Sequence, residues 1–347
     1  MLNAPFSLIL SQSHRQSIAL LLAVLCNTTN AWAQEPAKIC AVYPHLKDSY
    51  WLSVNYGMVD EAKKQHVTLR VLESGSYDNL DKQQEQIKAC REWQADAILL
   101  GSVSPTAYQH DLRKITGDIP VFAVVNYLDL DEKNRSLLKS TIGVDWHGMG
   151  YLSGEFLMQQ ALQKQQPLKV ALLPGPKSSG GTKPVLQGFY DAISTAQDTQ
   201  LANQPAINVV ATYWGDNDKE LQRNLIQKLL EKYDDIDYIY GSAVAVEAAI
   251  SELRGTEREN IGLIATYLSH GVYRGLVRHK VEFAPTDHMV LQGRASIRQA
   301  LSFLTDNTID QSIPITIKGL TPTRLQDFEQ QQSLSPSEYR PTFFSTP

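Results

Sequence analysis

Three cysteines among 347 residues are too few for a small disulfide scaffold. Cationic excess is missing as well. With 32 Lys and Arg against 37 Asp and Glu the net charge is −5, so nothing draws the chain to a polyanion and nucleic acid is excluded as a partner. Catalytic signatures are equally scarce. None of the eight His stands in an H-E-x-x-H pair, no Cys–His cluster has metal-ligand spacing, and G-x-S-x-G is absent. The segment GPKSSGGT at 175–182 has Gly181 where a phosphate loop requires lysine, and reads as a strand-to-helix turn. No nucleophile, metal site or cofactor site emerges, and the chain reads as a binding protein rather than an enzyme.

Long hydrophobic runs are also lacking. The longest near the N-terminus, Ile18 to Cys26, is too short to span a bilayer. His14 and Arg15 precede it and the small-x-small pattern Ala31-Trp32-Ala33 follows, so residues 1–33 read as a signal peptide cleaved before Gln34. The mature chain is expected free in the periplasm. Val24 and Leu25 before Cys26 argue against lipid attachment. Removal of the signal leaves Cys40 and Cys90, which in an oxidising compartment are either a disulfide or two buried thiols.

What the chain does have is alternation. Short runs rich in Val, Ile and Leu at 38–44, 67–74, 97–102, 121–126, 140–145, 169–175, 207–215, 238–242 and 261–267 are separated by amphipathic stretches of helical period, among them 51–65, 80–93, 148–165, 184–197 and 218–233. This is the pattern of α/β halves, each a doubly wound parallel sheet covered on both faces. Weaker strands are VEFAPT and ITIKG. In the usual strand order the second helix crosses over the first strand, where Ile87 and Cys90 on its inner stripe would meet Cys40.

Ligands of such sheets bind outside the carboxyl ends of the strands. Those ends carry Tyr50 and Trp51, Tyr77, Tyr127, Trp146, Trp214 and Tyr267, with Asp48, Asn126 and Asp145 as the polar company. Any one of these rings is as readily a packing residue. As a set around one crevice they form an aromatic cage, suited to a methylated, formally cationic nitrogen at about 0.5–2 kcal/mol per ring. Sugar pockets stack aromatics too, but add more carboxylates and amides than these ends supply. Asp48 either faces the cation or caps the first helix.

The stretches KICAVYPHLKDSYWLSVNYGMVDEAKK, IGVDWHGMGYLSGEFL, GPKSSGGTKPVLQGFYDAI and DDIDYIYGSAVAVEAAI carry a resemblance to the ribose-binding-like (type I) periplasmic binding proteins over nearly the whole mature length. Ser49-Tyr50-Trp51, Ser76-Tyr77-Asp78, Asp145-Trp146-His147 and Ala265-Thr266-Tyr267 narrow it to those that sense trimethylamine N-oxide (TMAO). The resemblance implies two lobes joined by about three hinge crossings, near Asp145, near Tyr267 and after Leu304. The lobes would be 34–145 with 268–304, and 146–267 with 305–347. It implies a cleft ligand held by Tyr50, Trp51, Tyr77, Trp146, Tyr267 and Asp48. It also implies a report to the periplasmic domain of a membrane sensor histidine kinase, inducing the TMAO respiratory system. A sugar or autoinducer-like polyol receptor for an ABC permease is the alternative.

Overall fold

The computed structural model describes residue 1 and residues 35–177, 179–198, 205–326 and 328–347. The expected signal peptide, with Cys26, lies outside the described residues apart from Met1. Among the described residues every sheet and helix belongs to the unit Ala37–Pro347.

Its first sheet contains β1 (Lys38–Tyr43), β2 (Thr68–Glu73), β3 (Ala97–Leu100), β4 (Val121–Val125) and β5 (Leu138–Gly143), all parallel in the order β2-β1-β3-β4-β5. The chain order departs from the sheet order where α1 (Ser49–Lys64) and α2 (Leu80–Glu92) make their crossovers. Shorter helices α3 (Leu112–Thr116) and α4 (Glu132–Arg135) complete this part. Strands β1, β3 and β4 are buried along nearly their whole length, which is why they read as unbroken apolar runs rather than alternating ones. As the strand order requires, α2 lies over β1, and Cys90 is joined to Cys40 by a disulfide with a Cα separation of 5.7 Å.

The second sheet comes after α5 (Trp146–Lys164). It holds β6 (Leu168–Gly175), β7 (Ile207–Trp214), β8 (Tyr238–Gly241) and β9 (Gly262–Ala265) in the parallel order β7-β6-β8-β9. Between them run α6 (Thr182–Asp198), α7 (Lys219–Lys232) and α8 (Ala243–Leu253). The nine strong strands and five helices expected from the pattern all form, with ends shifted by a few residues.

Expectation and structure part at the second crossing. After Tyr267 the chain stays with the second lobe: α9 (His270–Val277) packs on α8, and β10 (Ala284–Thr286) contacts α5. It leaves only at Asp287 and His288, so 268–286 does not belong to the first lobe. The next helix, α10 (Met289–Asp306), packs along α1 and against β4 and β5. Arg294 and Arg298 bind Asp60 and Glu61 of α1 at 2.9 and 2.6 Å. The chain then returns to the second lobe as β11 (Lys318–Leu320), antiparallel to β10. Nor does the tail remain there: α11 (Gln330–Ser333) contacts α10, and β12 (Phe344–Ser345) adds antiparallel to β2 at the edge of the first sheet. The weak strand patterns at β10 and β11 and the proline-rich tail carried too little periodicity to reveal these returns.

Candidate functional site

The site is built where the carboxyl ends of the two sheets face each other. Asp48 caps α1, its Oδ1 accepting from the Trp51 amide at 3.1 Å, and this fixes the first helical turn so that Tyr50 and Trp51 enter the crevice. The Trp51 ring fits because residue 101, at the end of β3, is glycine: a Cβ there would stand 2.4 Å from the ring. The Trp51 Nε1 donates to the Tyr77 hydroxyl oxygen at 3.3 Å, and Asn126, just past β4, donates to the same oxygen at 3.4 Å.

From the second lobe come Trp146 and Tyr267. Trp146 opens α5, and its Nε1 donates at 3.1 Å to the carbonyl of Val125. Val125 has φ +67°, a strained conformation for a β-branched residue. Gly181 lets the indole lie against the start of α6, since a Cβ there would be 2.8 Å from the ring. Tyr267, past β9, accepts from Asn217 Nδ2 at 3.2 Å. Tyr50 is the centre of the ring set, with centroids 6.1 Å from Trp51, 6.2 Å from Trp146 and 5.2 Å from Tyr267.

Together these residues enclose a cavity of about 40 Å³ lined by Asp48, Tyr50, Trp51, Tyr77, Trp146 and Tyr267, and by Asn126, Ser179, Thr182, Asn217 and Thr266. One ordered water needs roughly 10–15 Å³ on this measure, so the space suits a few heavy atoms and not a hexose. All six residues picked from the sequence meet here. Asp48 both caps α1 and lines the cavity. Tyr127 is exposed, while Trp214 is half-buried with the Lys177 ammonium 5.7 Å from its ring; neither lines the cavity. Asp145 caps α5 through the Gly148 amide at 2.8 Å. Sequence reasoning missed Ser179, Thr182, Asn217 and Thr266. The turn at 175–182 offered the signal, since its glycines mark a close approach, and Asn217 stands three residues beyond the Trp214 that the strand-end reading reached.

The electrostatics keep the phenols neutral. Burial pushes Tyr77 up to about 12, the Asn126 and Trp51 donors pulling the other way. Burial, then the Asp48 carboxylate, holds Tyr267 well above the usual tyrosine range, and burial with Asp287 does the same for Tyr50. Indole and amide N–H groups can only donate, so the Tyr77 oxygen is an acceptor in both of its bonds and its own proton is committed to neither. The Trp51 and Trp146 N–H groups are already spent. The Tyr267 oxygen likewise accepts from Asn217, so the cavity offers π faces, one carboxylate, the free phenolic protons of Tyr77 and Tyr267, and the hydroxyls and amides of Ser179, Thr182, Thr266, Asn126 and Asn217. Among the described residues no group of three or more His, Cys, Asp or Glu is placed to hold a metal ion, and no helix is long and apolar enough to cross a membrane.

Residues 36–315 match the family described as periplasmic binding proteins and sugar binding domain of LacI family. Periplasmic protein TorT of Escherichia coli (strain K12) is 43% identical over 312 residues, 90% of this chain and 86% of that one. A chain of the crystal structure of the TorS sensor domain–TorT complex in the presence of TMAO is 54% identical, with a TM-score of 0.79 over 88% of this chain and 99% of its own. An ABC transporter solute binding protein from Bradyrhizobium sp. BTAi1 with bound bis-tris is 30% identical, with a TM-score of 0.71 over 89% and 90%. The chain therefore belongs to the periplasmic binding protein family, as a homologue of TorT.

Proposed function

We propose that this protein is exported to the periplasm through a cleaved N-terminal signal peptide, binds TMAO between its lobes, and reports the bound state to the periplasmic sensor domain of a TorS-like membrane histidine kinase. The observation that carries the reading is the ring set around a cavity of small-molecule size, with the phenolic protons of Tyr77 and Tyr267 left to donate. The methylated nitrogen packs against the faces of Tyr50, Trp51, Trp146 and Tyr267, whose quadrupoles attract it. The oxide oxygen accepts from the Tyr77 hydroxyl. Asp48 adds a negative charge at the rim. The similar TorS–TorT complex, solved without ligand and in the presence of TMAO, supports the kinase partner.

TMAO has five heavy atoms, and the best tiny ligands reach about −1.5 kcal/mol per atom, so affinity is bounded near −7.5 kcal/mol, roughly micromolar. Calorimetry on the mature chain, with and without a kinase sensor domain, tests the reading. Trp51→Ala and Trp146→Ala are each expected to weaken TMAO binding about tenfold or more. Tyr77→Phe, which removes one hydroxyl and keeps the ring, is expected to cost about tenfold. Absence of binding heat in both formats overturns the reading, and a sugar recovered from the cleft points to the polyol receptor instead.

A further inference from the structure

One buried charge beside the cavity is not explained by ligand contact. Asp287 does not line the cavity, is fully buried, and forms no ion pair among the described residues. One carboxylate oxygen accepts from the Tyr50 hydroxyl; the other, Oδ1, has no hydrogen-bond partner. Burying a carboxylate this way is costly, and a neutral residue of the same shape would avoid the cost. Asp287 also sits at the crossing between β10 and α10. Its backbone carbonyl accepts from Gln292 Nε2 at 3.0 Å, and the same amide reaches the Tyr50 hydroxyl at 3.4 Å.

We propose that Asp287 is a positioning residue for the cage: its carboxylate, acting through the Tyr50 hydroxyl, fixes the central ring and makes its face more negative toward a cationic nitrogen, so that ligand binding is coupled to the charge at the lobe crossing. This coupling rests on the cage reading of the cavity. The physical route is short. A phenol that donates to an anion gains electron density in its ring, and the ring's attraction for a cation rises with it. Tyr50 meets Trp51, Trp146 and Tyr267, so displacing it loosens contacts from both lobes.

The surroundings define which groups enter the coupling. From α1 only Tyr50 faces the carboxylate, and α10 contributes the uncharged Gln292. The adjacent His288 turns to Ser333 of α11, its Nδ1 3.2 Å from that hydroxyl, and Lys318 and Glu329 act on His288. Burial raises the Asp287 carboxyl to about 6, against the opposing bond from Tyr50 and the nearby Gln292 amide. Acidification through about pH 6 therefore converts the charged form to the neutral one. By reciprocity the ligand favours the ionised carboxylate and lowers its affinity for a proton.

The test is the TMAO dissociation constant of the mature chain, measured by calorimetry at pH 7.5 and pH 5, for the native protein, Asp287→Asn and Tyr50→Phe. If only the ionised form is competent, the native protein binds about tenfold more weakly at pH 5, where roughly a tenth of Asp287 is charged. Both variants are expected to bind about tenfold more weakly than the native protein at pH 7.5, and to show only the slope that protonation of the N-oxide itself imposes. Native-like affinity of Asp287→Asn at pH 7.5, or one common slope in all three proteins, overturns the coupling while leaving the cage reading intact. No binding by the native protein at either pH overturns the cage reading itself. Should Asp287→Asn fail to fold, as judged by circular dichroism, Tyr50→Phe against the native protein decides.

Discussion

At Asp287 stability and function pull in opposite directions. Its carboxyl is raised from the ordinary 3.8 to about 6 by burial, so the folded state holds the proton more tightly than the unfolded one. Stability therefore falls as pH rises from the unfolded value through about 6, and the penalty is complete above that. Asp287→Asn removes the titration. The native protein should gain roughly 1–2 kcal/mol relative to the variant on going from pH 7.5 to pH 5. Urea denaturation of both proteins at the two pH values measures it, and parallel shifts of the two midpoints contradict the burial of an unpaired charge. At the same scale the cage was legible because large aromatics at strand ends are conspicuous. Asp287 was not, since nothing local marks a lone Asp in DHMVLQG as buried beneath a tyrosine more than two hundred residues away. The same blindness hid Gly101, whose value lies in the ring that it lets approach.

At the scale of elements, what fixes the cage is the seating of α1 and α10. The two helices come close enough that a Cβ on Gly293 would stand 2.2 Å from the Val54 carbonyl oxygen, and one on Gly57 would stand 2.1 Å from that of Val290. Backbone on both sides leaves nothing flexible to yield. Gly293→Ala should therefore cost about 1–3 kcal/mol of stability by overpacking, read as a lower midpoint in denaturant, because α10 must shift off α1. An unchanged midpoint means the helices sit farther apart. The Cys40–Cys90 bridge acts on the same lobe from the other face of the sheet, closing a separation of 50 residues that the chain-entropy model values at about 4 kcal/mol. Strands and long helices were readable because burial on both faces gives β1, β3 and β4 an apolar run, and one buried stripe gives α2 and α7 their period. The second crossing was not, because α9 is short and β10 is three residues long, so neither shows enough repeats to assign a lobe.

At the scale of the molecule, the two lobes are tied across the mouth of the cavity by few polar contacts. Ser76, beyond β2, donates from its hydroxyl to Asp216, beyond β7, at 3.1 Å, and the His270 amide of α9 donates to the Ser49 hydroxyl of α1 at 3.0 Å. Neither pair lines the cavity, so both bear first on closure, with the Asp216 carboxylate also acting through charge on the Tyr77 and Tyr267 phenols. If the closed arrangement is the binding-competent one, apparent affinity scales with its population, and a kinase domain that grips the same arrangement is linked to the ligand reciprocally. Ser76→Ala combined with Asp216→Ala removes one tie at a cost of about 1 kcal/mol, which predicts TMAO binding weakened about fivefold and a larger radius of gyration for the free protein in small-angle X-ray scattering. Adding a kinase sensor domain that grips the closed arrangement should restore most of that affinity, because it supplies the closure the missing hydrogen bond no longer does. Loss of affinity that the partner cannot rescue would instead place Ser76 and Asp216 in the ligand's own contacts. Affinity unchanged by the double variant would mean that the rings alone, with the four passages of chain between lobes, hold the cleft shut.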